Sequence, residues 1–484
     1  MMTYGKLANI EPKEVFTYFE EICNIPHGSK NIDKISNYLV EFAKEKKLNF
    51  IQDNYKNVII TKEASKGYEK VPTIILQGHM DMVTVQTADA LINMETDGLD
   101  VSVSGDYVYA KNTSLGGDDG IALAYSLALL ASDTIMSPRL EVIFTVDEEV
   151  GMDGARGIDL STLQGNRLIN LDSEEEGYLL AGCAGGGTIT GTIPITREKG
   201  SGKVIEISIS DLKGGHSGVE IDKERGNALY ILARILRNIK KEVSFSLVSF
   251  KGGEKDNAIP CFGIAQILLA EENSDAFKKA FHTTSEMIKH EFSVKEPKVK
   301  IKENSLGVKS LPALTEESFT SFLRFMLFMP NGVQAMSMDI KGLPETSLNM
   351  GILEIEEAQM KVVVSVRSSL SSAKWELIEK ITELIKNENG VSKLNGEYPA
   401  WEYKANSELR DSMCKLYKDV YGKEMEVLLI HAGLECGLLA EKIKDLDCVS
   451  IGPDMEDIHT TKEKLSISST KRVWEFLVKF IENK

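Results

Sequence analysis

The chain has 484 residues, which is too long for one ordinary domain, so two or three domains are expected. With 42% hydrophobic and 27% charged residues, its composition is that of a globular protein and excludes a disordered or fibrous one. The formal net charge of −17 argues against nucleic acid and anionic membranes as partners, and it suits neutral or cationic small substrates.

The sequence shows no sign of export or membrane insertion. The N-terminal segment MMTYGKLANIEPKEVF lacks an apolar core of signal-peptide length, and no stretch approaches ~18 uncharged apolar residues. The six cysteines, at positions 23, 183, 261, 414, 436 and 448, include no CxxC pair, which argues against a disulfide framework and a thiolate zinc site. A cytoplasmic location is therefore expected.

The chain up to about residue 185 reads as alternating helices and strands. Helical spacing is present in VFTYFEEICNI, KISNYLVEFAKEKKL and IALAYSLALLAS. Short β-branched or apolar runs occur in NVIITK, TIILQGHM, LEVIFTVDEE and RLINLDSEE. This alternation favours a mostly parallel sheet flanked by helices.

A glycine cluster, AGCAGGG at positions 181–187, is a candidate hinge, and the pattern changes after it. Strand-like TITGTIPI and KVIEISISD precede the helical segment RGNALYILARILRNIKKE. Further on, SDAFKKAFHTTSEMIKHEF and KWELIEKITELIKNE are helix-like, and SLNMGILEIEEAQMKVVVSVRSS reads as strands. Residues 187–400 are therefore expected to form an α+β unit, and the pattern allows two similar halves within it.

The C-terminal segment returns to helices and short strands, with SELRDSMCKLYKDVYG helical and DCVSIG extended. It is short for an independent domain, so it is expected to complete the first one. The predicted fold class is α/β: a catalytic domain with a mixed, mostly parallel sheet, formed by residues 1–186 and 401–484, is interrupted by an inserted α+β domain, residues 187–400.

Five segments place metal-type side chains directly after predicted strands, where open α/β sheets hold their ligand sites. The first is LQGHMD, in which His79 ends a strand and Asp81 lies two positions later on the same face. The Asp81 carboxylate can then hydrogen-bond the imidazole nitrogen that faces away from a metal and orient the ring. Such short pairs are usually structural when they stand alone.

The next two segments are SLGGDDG and TVDEEVG. In the first, either Asp119 caps the following helix and Asp118 is solvated, or one carboxylate bridges two cations while the glycines allow a close backbone approach. In the second, three consecutive acids are costly unless metal or water neutralises them. Glu149 could ligate a metal while Glu148 moves a proton from water to the leaving amine; a solvated turn is the alternative.

The last two segments are NLDSEEE, with Asp172 at a strand end, and PDMEDIHTTKE, a turn-rich loop that contains His459. Together the five segments supply two imidazoles and three carboxylates, which suits a pair of Zn²⁺, Mn²⁺ or Co²⁺ ions. Such a pair would activate a bridging water and stabilise the oxyanion of a cleaved carbonyl at a spacing of roughly 3.5–4 Å.

These segments, in this order, resemble the M20 family of metallopeptidases. The nearest likeness is to its aminoacyl-histidine dipeptidase branch, the cytosolic non-specific dipeptidases that cleave Xaa-His substrates such as carnosine. The resemblance covers essentially the whole chain and is carried by eight stretches: LQGHMDMV, TSLGGDDGIALAY, TVDEEVGMDGA, NLDSEEEG, GGHSGVEI, DNAIP, HAGLECG and IGPDMEDIHTTKEKLSI.

The resemblance implies two divalent cations, preferably Zn²⁺, with Mn²⁺ or Co²⁺ as alternatives. The implied metal ligands are His79, Asp118, Glu149, Asp172 and His459, with Asp118 as the bridge. In the same pattern Asp81 orients His79, and Glu148 is the general base and acid. The resemblance also implies a cis peptide bond between Asp118 and Asp119.

The inserted domain resembles the family's lid. The implied substrate-binding residues are His216, Asn257, Arg367, His431 and Gly433. Of these, His216 would contact the oxyanion, and Asn257 and Arg367 would bind the substrate's C-terminal carboxylate or carbonyl. On its own, the GGHSG motif around His216 could equally be a turn. The remaining histidines matching no functional position are expected to be structural: His27, His282 and His290.

The expected reaction is metal-dependent hydrolysis of unblocked dipeptides of the Xaa-His type, with broad specificity. An N-acyl amino acid deacylase or a tripeptidase of the same superfamily is the alternative, because loop composition does not separate them. A non-catalytic metal-binding protein on this fold is a third possibility, and the intact Glu148 weighs against it. Both a monomer and a homodimer are compatible with the sequence, and lid closure would need hinge freedom near residues 185 and 400.

Overall fold

The computed structural model describes residues 5–484 and contains both α-helices and β-strands. The α-helices of this part of the chain are α1 Lys13–Cys23, α2 Asp33–Glu45, α3 Gly117–Ala131, α4 Asp153–Gly157, α5 Ala228–Glu242, α6 Ser274–Glu291, α7 Glu316–Phe328, α8 Ser371–Asn387, α9 Glu408–Tyr421, α10 Cys436–Lys442 and α11 Ile467–Glu482. Within residues 5–484, no helix combines the length and the apolarity needed to cross a membrane.

The strands fall into three sheets. They are β1 Asn49–Gln52, β2 Val58–Lys62, β3 Ile74–His79, β4 Val101–Ser104, β5 Tyr107–Ala110, β6 Leu140–Thr145, β7 Arg167–Asn170, β8 Tyr178–Cys183, β9 Gly185–Pro194, β10 Arg197–Ser210, β11 Ser246–Gly252, β12 Gly263–Leu269, β13 Lys300–Leu314, β14 Gly332–Met336, β15 Pro344–Ile355, β16 Gln359–Ser368, β17 Val391–Tyr398, β18 Glu426–Ile430, β19 Asp447–Ser450, β20 Met455–Glu456 and β21 Lys464–Ser466.

The chain divides into two units, each with its own hydrophobic core. The first unit comprises the residues up to Gly182 together with Tyr403–Leu429 and Leu434–Lys484. The second unit comprises Cys183–Glu402 and Ile430–Gly433. The glycine cluster considered as a hinge is largely extended, because it ends β8 and begins β9.

An eight-stranded sheet in the order β1-β2-β6-β3-β7-β19-β8-β18 forms the centre of the first unit. β3 pairs in parallel with β6 and β7, and β7 pairs in parallel with β19. The pairs β1–β2, β2–β6 and β8–β19 are antiparallel. The predicted mixed α/β fold is therefore confirmed, and its parallel part is the four central strands.

The central strands β3 and β6 are buried along their length, and apolar residues predominate in both. Every residue of β3 (IILQGH) and β6 (LEVIFT) is buried. The helix α3 is likewise apolar on all sides, and its residues from Gly117 to Leu130 are buried. A second, four-stranded sheet of this unit has the order β20-β21-β5-β4.

The second unit is an α+β structure built on a nine-stranded sheet. Eight strands follow the order β13-β10-β12-β11-β15-β16-β9-β17, and β14 pairs with β15. Neighbouring strands of this sheet pair antiparallel. α5 presents an apolar stripe to the core of this unit, with Leu229, Leu232, Leu236 and Ile239 fully buried.

Candidate metal centre

His79 is the last residue of β3, in the parallel centre of the first unit's sheet. It is preceded by Gly78, where a Cβ atom would lie 2.5 Å from both the Asp119 carboxylate and the Cβ atom of Ala122. Glycine thus allows β3 to approach the first turn of α3 closely. This approach places the His79 imidazole beside Asp118.

Asp118 lies in a turn at the start of α3, and the turn begins with Gly116 in the left-handed conformation at a φ of 69°. The peptide bond between Asp118 and Asp119 is cis, as the resemblance implied. The Asp118 Oδ1 atom is 3.0 Å from Nε2 of His79, and its Oδ2 atom is 3.0 Å from Nε2 of His459. A carboxylate with one imidazole at each oxygen has the geometry of a bridging ligand.

His459 reaches Asp118 from the loop between β20 and β21. Its Nε2 atom also lies 2.7 Å from Oε1 of Glu149, which is in the 3-10 turn that follows β6. Hydrogen bonds to Asp118 and Glu149 raise the pKa of His459 to about 10. The two carboxylates therefore favour a positive charge at this point.

Asp172 approaches His79 from the end of β7. Its Oδ1 atom is 3.5 Å from Nε2 of His79. Burial of the His79 imidazole opposes a positive charge, but the carboxylates of Asp172 and Asp118 raise the pKa of His79 well above its ordinary value. This side of Asp118 favours a cation as well.

Three overlapping groups of donor atoms result, and within each group the atoms lie within 4.8 Å of one another. The groups are His79, Asp118 and Asp172; Asp118, Glu149 and His459; and His79, Glu148 and Glu149. The first two groups share Asp118, so the five ligands expected from the sequence form two donor sets around one carboxylate. The structure thus brings all five predicted ligands together in the first unit.

The chemistry of these donors fits divalent cations. Nδ1 of His79 lies 2.9 Å from the backbone carbonyl of Asp81, and when it donates its hydrogen there the Nε2 lone pair is directed at carboxylate oxygens. A lone pair and two carboxylates that face each other are stable only with a positive charge between them. Mixed imidazole and carboxylate donors suit Zn²⁺, Mn²⁺ or Co²⁺.

Asp81 differs in part from the sequence-based expectation. The hydrogen-bond partner of the His79 Nδ1 atom is the backbone carbonyl of Asp81, while the nearest oxygen of its carboxylate is 3.6 Å away. That carboxylate accepts hydrogen bonds from the Ser29 hydroxyl (2.8 Å) and from the backbone N–H groups of Glu148 (3.0 Å) and Glu149 (3.4 Å). Because these donors occupy it, its main contacts hold the turn after β6.

Glu148 is the predicted general base and acid. A carboxylate oxygen of Glu148 lies within 4.8 Å of donor atoms of His79 and Glu149. Burial, together with the negative charges of Asp172 and Glu435, raises the pKa of Glu148 well above its ordinary value, although His79 opposes this shift. A carboxyl group with a raised pKa holds a proton more readily, which suits a group that accepts a proton and returns it.

Asp119, the alternative candidate for the bridge, is directed elsewhere. Its side chain is fully buried, and its Oδ2 atom accepts the backbone N–H of His79 at 3.1 Å. Burial and the nearby charge of Asp172 raise the pKa of Asp119 well above its ordinary value. Asp119 therefore supports the backbone of β3, and Asp118 is the carboxylate that faces both imidazoles.

Sequence reasoning missed a buried polar network beneath these ligands. The Glu435 Oε2 atom accepts hydrogen bonds from Gln77 (2.6 Å) and Thr145 (2.5 Å), and the Gln77 Oε1 atom accepts one from Asn170 (2.6 Å). Gln77, Thr145 and Asn170 belong to β3, β6 and β7, whose ends lead to the metal-type residues. The signal that could have revealed the network is a polar residue within apolar strands such as IILQGH.

The predicted substrate residues lie together within the second unit. A Cβ atom at Gly218 would be 2.8 Å from the His431 carbonyl, 3.0 Å from Cε1 of His216 and 3.2 Å from Nε of Arg367. The backbone carbonyl of Asn257 accepts the N–H of Ser217 at 2.8 Å, which places Asn257 beside His216. The Asn257 residue is exposed.

The tautomer of His216 follows from its hydrogen bonds. The Nδ1 atom accepts the backbone N–H groups of Gly218 (3.1 Å) and Val219 (3.3 Å), so the hydrogen of the neutral ring resides on Nε2. Burial and the neighbouring Arg367 lower the pKa of His216. His216 therefore presents a neutral Nε2–H donor, which suits the oxyanion contact expected from the sequence.

Arg367 and His431 are each held by a neighbour. The Nη1 atom of Arg367 donates to the Tyr398 hydroxyl at 3.0 Å. A Cβ atom at Gly433 would lie 2.6 Å from the Tyr398 ring, so glycine at this position leaves room for that ring. His431 Nε2 lies 2.7 Å from the Ser347 hydroxyl, and burial with the charge of Arg367 lowers the pKa of His431 to about 4.

The histidines expected to be structural lie outside these groups. His27 is buried, and its Nδ1 atom lies 2.5 Å from the backbone carbonyl of Ile25. His282 and His290 are exposed on α6. None of the three belongs to a donor group found within residues 5–484.

A mixed α/β unit whose parallel strands lead to two imidazole–carboxylate donor sets defines a candidate metal-dependent hydrolase. The sequence profile of Peptidase family M20/M25/M40 matches residues 75–483, and the chain belongs to this family. The family resemblance read from the sequence is thereby confirmed.

Two relatives with about one third sequence identity support the same family assignment. Over 480 residues the chain is 34% identical to the cytosol non-specific dipeptidase of Escherichia coli (strain K12), and the match covers 99% of each protein. The crystal structure of aminoacylhistidine dipeptidase from Vibrio alginolyticus matches with a TM-score of 0.94 and 33% identity, covering 99% of this chain and 98% of that one. Aminopeptidase PepT from Bacillus cereus, with a TM-score of 0.57, 16% identity and 98% of each chain covered, shows the fold alone.

Proposed function

We propose that the protein hydrolyses unblocked dipeptides, Xaa-His dipeptides among them, with two divalent cations. The observation that carries the proposal is the pair of donor sets that share Asp118. Family membership makes the chain a peptidase, and two relatives at 34% and 33% identity are named as dipeptidases. The cysteines are all free, which supports our further proposal of a cytoplasmic location.

The proposed ligands are His79, Asp118 and Asp172 for one cation and Asp118, Glu149 and His459 for the other. Our first choice of ion is Zn²⁺, and Mn²⁺ and Co²⁺ are alternatives, since imidazole and carboxylate donors accept all three ions. Bound cations of this kind supply a lowered pKa for water and a polarised scissile carbonyl.

The protein's own groups would carry the proton. Glu148 would accept a proton from the attacking water and return it to the leaving amine, since its raised pKa suits both steps. The Asp81 carboxylate would hold the backbone of Glu148 and Glu149 in place through the hydrogen bonds from their N–H groups.

The second unit would bind the substrate. His216 would donate its Nε2–H to the oxygen of the cleaved carbonyl. Arg367, held by Tyr398, would bind the terminal carboxylate, for which a guanidinium fork is well suited, and Asn257 would donate its side-chain amide. His431 and Gly433 would shape the same pocket. Interpretation of this unit as a lid remains a prediction.

The substrate class is tested with a metal-depleted preparation to which Zn²⁺, Mn²⁺ or Co²⁺ is added back. We expect hydrolysis of Ala-His after metal addition and little hydrolysis of N-acetyl-histidine or Ala-Ala-His. Cleavage of N-acetyl-histidine with no cleavage of Ala-His would indicate a deacylase. Preference for Ala-Ala-His would indicate a tripeptidase. Either result would contradict the proposal.

The proton role is tested with Glu148→Gln, which keeps the shape of the side chain and removes its basicity. We expect kcat for Ala-His to fall by ~10²–10⁴-fold with the bound metal content unchanged. The matched control is Glu175→Gln, because Glu175 is an exposed acid in the loop after β7. Unchanged turnover in Glu148→Gln would exclude Glu148 as the base.

A further inference from the structure

Glu463 is a buried acid in the loop that carries His459. This loop joins β20 to β21, which pair antiparallel, and Glu463 is its last residue before β21. The residue is only 3% exposed. The mechanism proposed above gives it no role, although a buried carboxylate must find partners to offset the loss of water.

The partners of Glu463 are three consecutive backbone N–H groups in the turn that carries Asp118. Its Oε2 atom accepts from Leu115 at 2.8 Å and from Gly116 at 3.2 Å, and its Oε1 atom accepts from Gly117 at 2.8 Å. Successive N–H groups of this kind form a concave site for an anion. Here the anion is a side chain of the same chain.

The two glycines of SLGGDD suit this contact. Gly116 has a φ of 69°, a left-handed conformation that favours glycine. At Gly117 a Cβ atom would lie 3.3 Å from Oε1 of Glu463 and 3.2 Å from Sδ of Met455. The glycine pair therefore lets the carboxylate lie directly against the turn.

We infer that Glu463 is a positioning residue that fixes the His459 loop against the Asp118 turn. His459 and Asp118 both lie outside the strands of the central sheet, so the sheet alone does not set their spacing. In the loop, Asp457 has a left-handed φ of 54° and His459 one of 59°. The Glu463 carboxylate joins this loop directly to the turn and so supports the 3.0 Å approach of His459 to Asp118.

A plain helix cap is the competing explanation. The N–H groups at the start of α3 lack partners within the helix, and a carboxylate that accepts them stabilises the helix wherever it comes from. A cap alters only the stability of the fold. A positioning residue alters, in addition, the affinity for the cations that His459 and Asp118 would bind.

This inference rests on the proposed function, and its test measures cation affinity directly. Metal-depleted protein is titrated with Co²⁺, and binding is followed by the visible absorption of the ion. In Glu463→Gln the shape is kept and the charge is lost, and we expect Co²⁺ affinity to fall by ~10–100-fold, as for other groups that orient metal ligands. The control Glu456→Gln should bind like wild type, because Glu456 is exposed and contacts Tyr107 and Lys464.

The outcomes separate the inference from the proposed function. If the wild-type protein itself binds no Co²⁺ at micromolar concentration, the proposal of a metal centre is contradicted. If wild type binds and Glu463→Gln binds equally well, even with a lower unfolding temperature, Glu463 is a cap only and the inference is overturned. Should Glu463→Gln not fold, Gly117→Ala decides: its methyl group would press on Oε1, and we expect a several-fold loss of affinity, whereas wild-type affinity would overturn the inference.

Discussion

The Asp81 carboxylate offers a sharp test, because its contacts differ from those expected of a group that orients a metal-bound imidazole. Its Oδ1 atom accepts the N–H of Glu148, and its Oδ2 atom accepts the Ser29 hydroxyl and, more weakly, the N–H of Glu149. Its distance of 3.6 Å from the His79 ring is too long for a hydrogen bond. We therefore expect Asp81 to act mainly through these hydrogen bonds, which hold the turn after β6 in place.

Replacement of Asp81 by alanine should lower the unfolding free energy more than replacement by asparagine. Asp81→Ala removes hydrogen bonds worth ~1.5–3 kcal/mol each when the acceptor is charged, and partial exposure of the turn reduces the total loss of unfolding free energy to ~2–4 kcal/mol. Asp81→Asn can keep the acceptor for Glu148 and donate to the Ser29 hydroxyl, which can reverse its role. Its loss should stay below ~1 kcal/mol.

The measurements are urea unfolding of the metal-depleted proteins and kcat on a dipeptide. Displacement of the turn in Asp81→Ala should lower kcat by ~10²-fold, because small misplacements of reacting groups have effects of that size. Asp81→Asn should remain within ~10-fold of wild type, and Ser29→Ala should lose only ~1 kcal/mol of stability. If Asp81→Asn loses as much activity as Asp81→Ala, the carboxylate acts through its charge on His79 and the reasoning fails.

Two further predictions concern close packing and pH. Gly78→Ala would place a methyl group 2.5 Å from Ala122 and from the Asp119 carboxylate, so the unfolding free energy should fall by ~1–3 kcal/mol in thermal unfolding. The control is Gly120→Ala, where the nearest atom would be 3.4 Å away and the unfolding free energy should change little. His431 has its pKa lowered from 6.5 to about 4 in the folded protein, so the unfolded chain takes up a proton first as the pH falls and stability is lost between these values. From pH 7 to pH 5 the unfolding free energy should decrease by ~2 kcal/mol more in wild type than in His431→Gln, and equal pH profiles in urea unfolding would contradict the assigned environment.

The elements that carry the candidate ligands were largely predictable because their sequence patterns are strong. Apolar runs such as TIILQGHM and LEVIFTVDEE end in imidazole or acid groups, and the structure places strands at Ile74–His79 and Leu140–Thr145. Parallel strands bring such ends to one edge of a sheet. The gathering of the five predicted ligands followed from that rule together with the family resemblance.

Other features were not predictable from the sequence because they depend on contacts between distant segments. The edge strand β1 is short, and β8, next to the other edge strand β18, lacks a clear period, so the sequence did not indicate their antiparallel pairing with β2 and β19. The glycine cluster AGCAGGG lies largely within β8 and β9, and its role as a hinge stays a prediction. Tyr398, which holds Arg367, lies 31 positions from it in the chain, and no local motif connects the two residues.

The acids of the centre divide into two classes by what they accept, and this division separates supports from candidate ligands. Asp81, Asp119 and Glu463 each accept backbone N–H groups, so their lone pairs are already directed at the protein. The Asp118 carboxylate instead faces the imidazoles of His79 and His459, and the Glu149 carboxylate faces that of His459, so their oxygens can turn to a cation. Residue type alone gives both classes the same chemistry. Only the fold, by supplying or withholding N–H groups, determines which carboxylates remain available for metal.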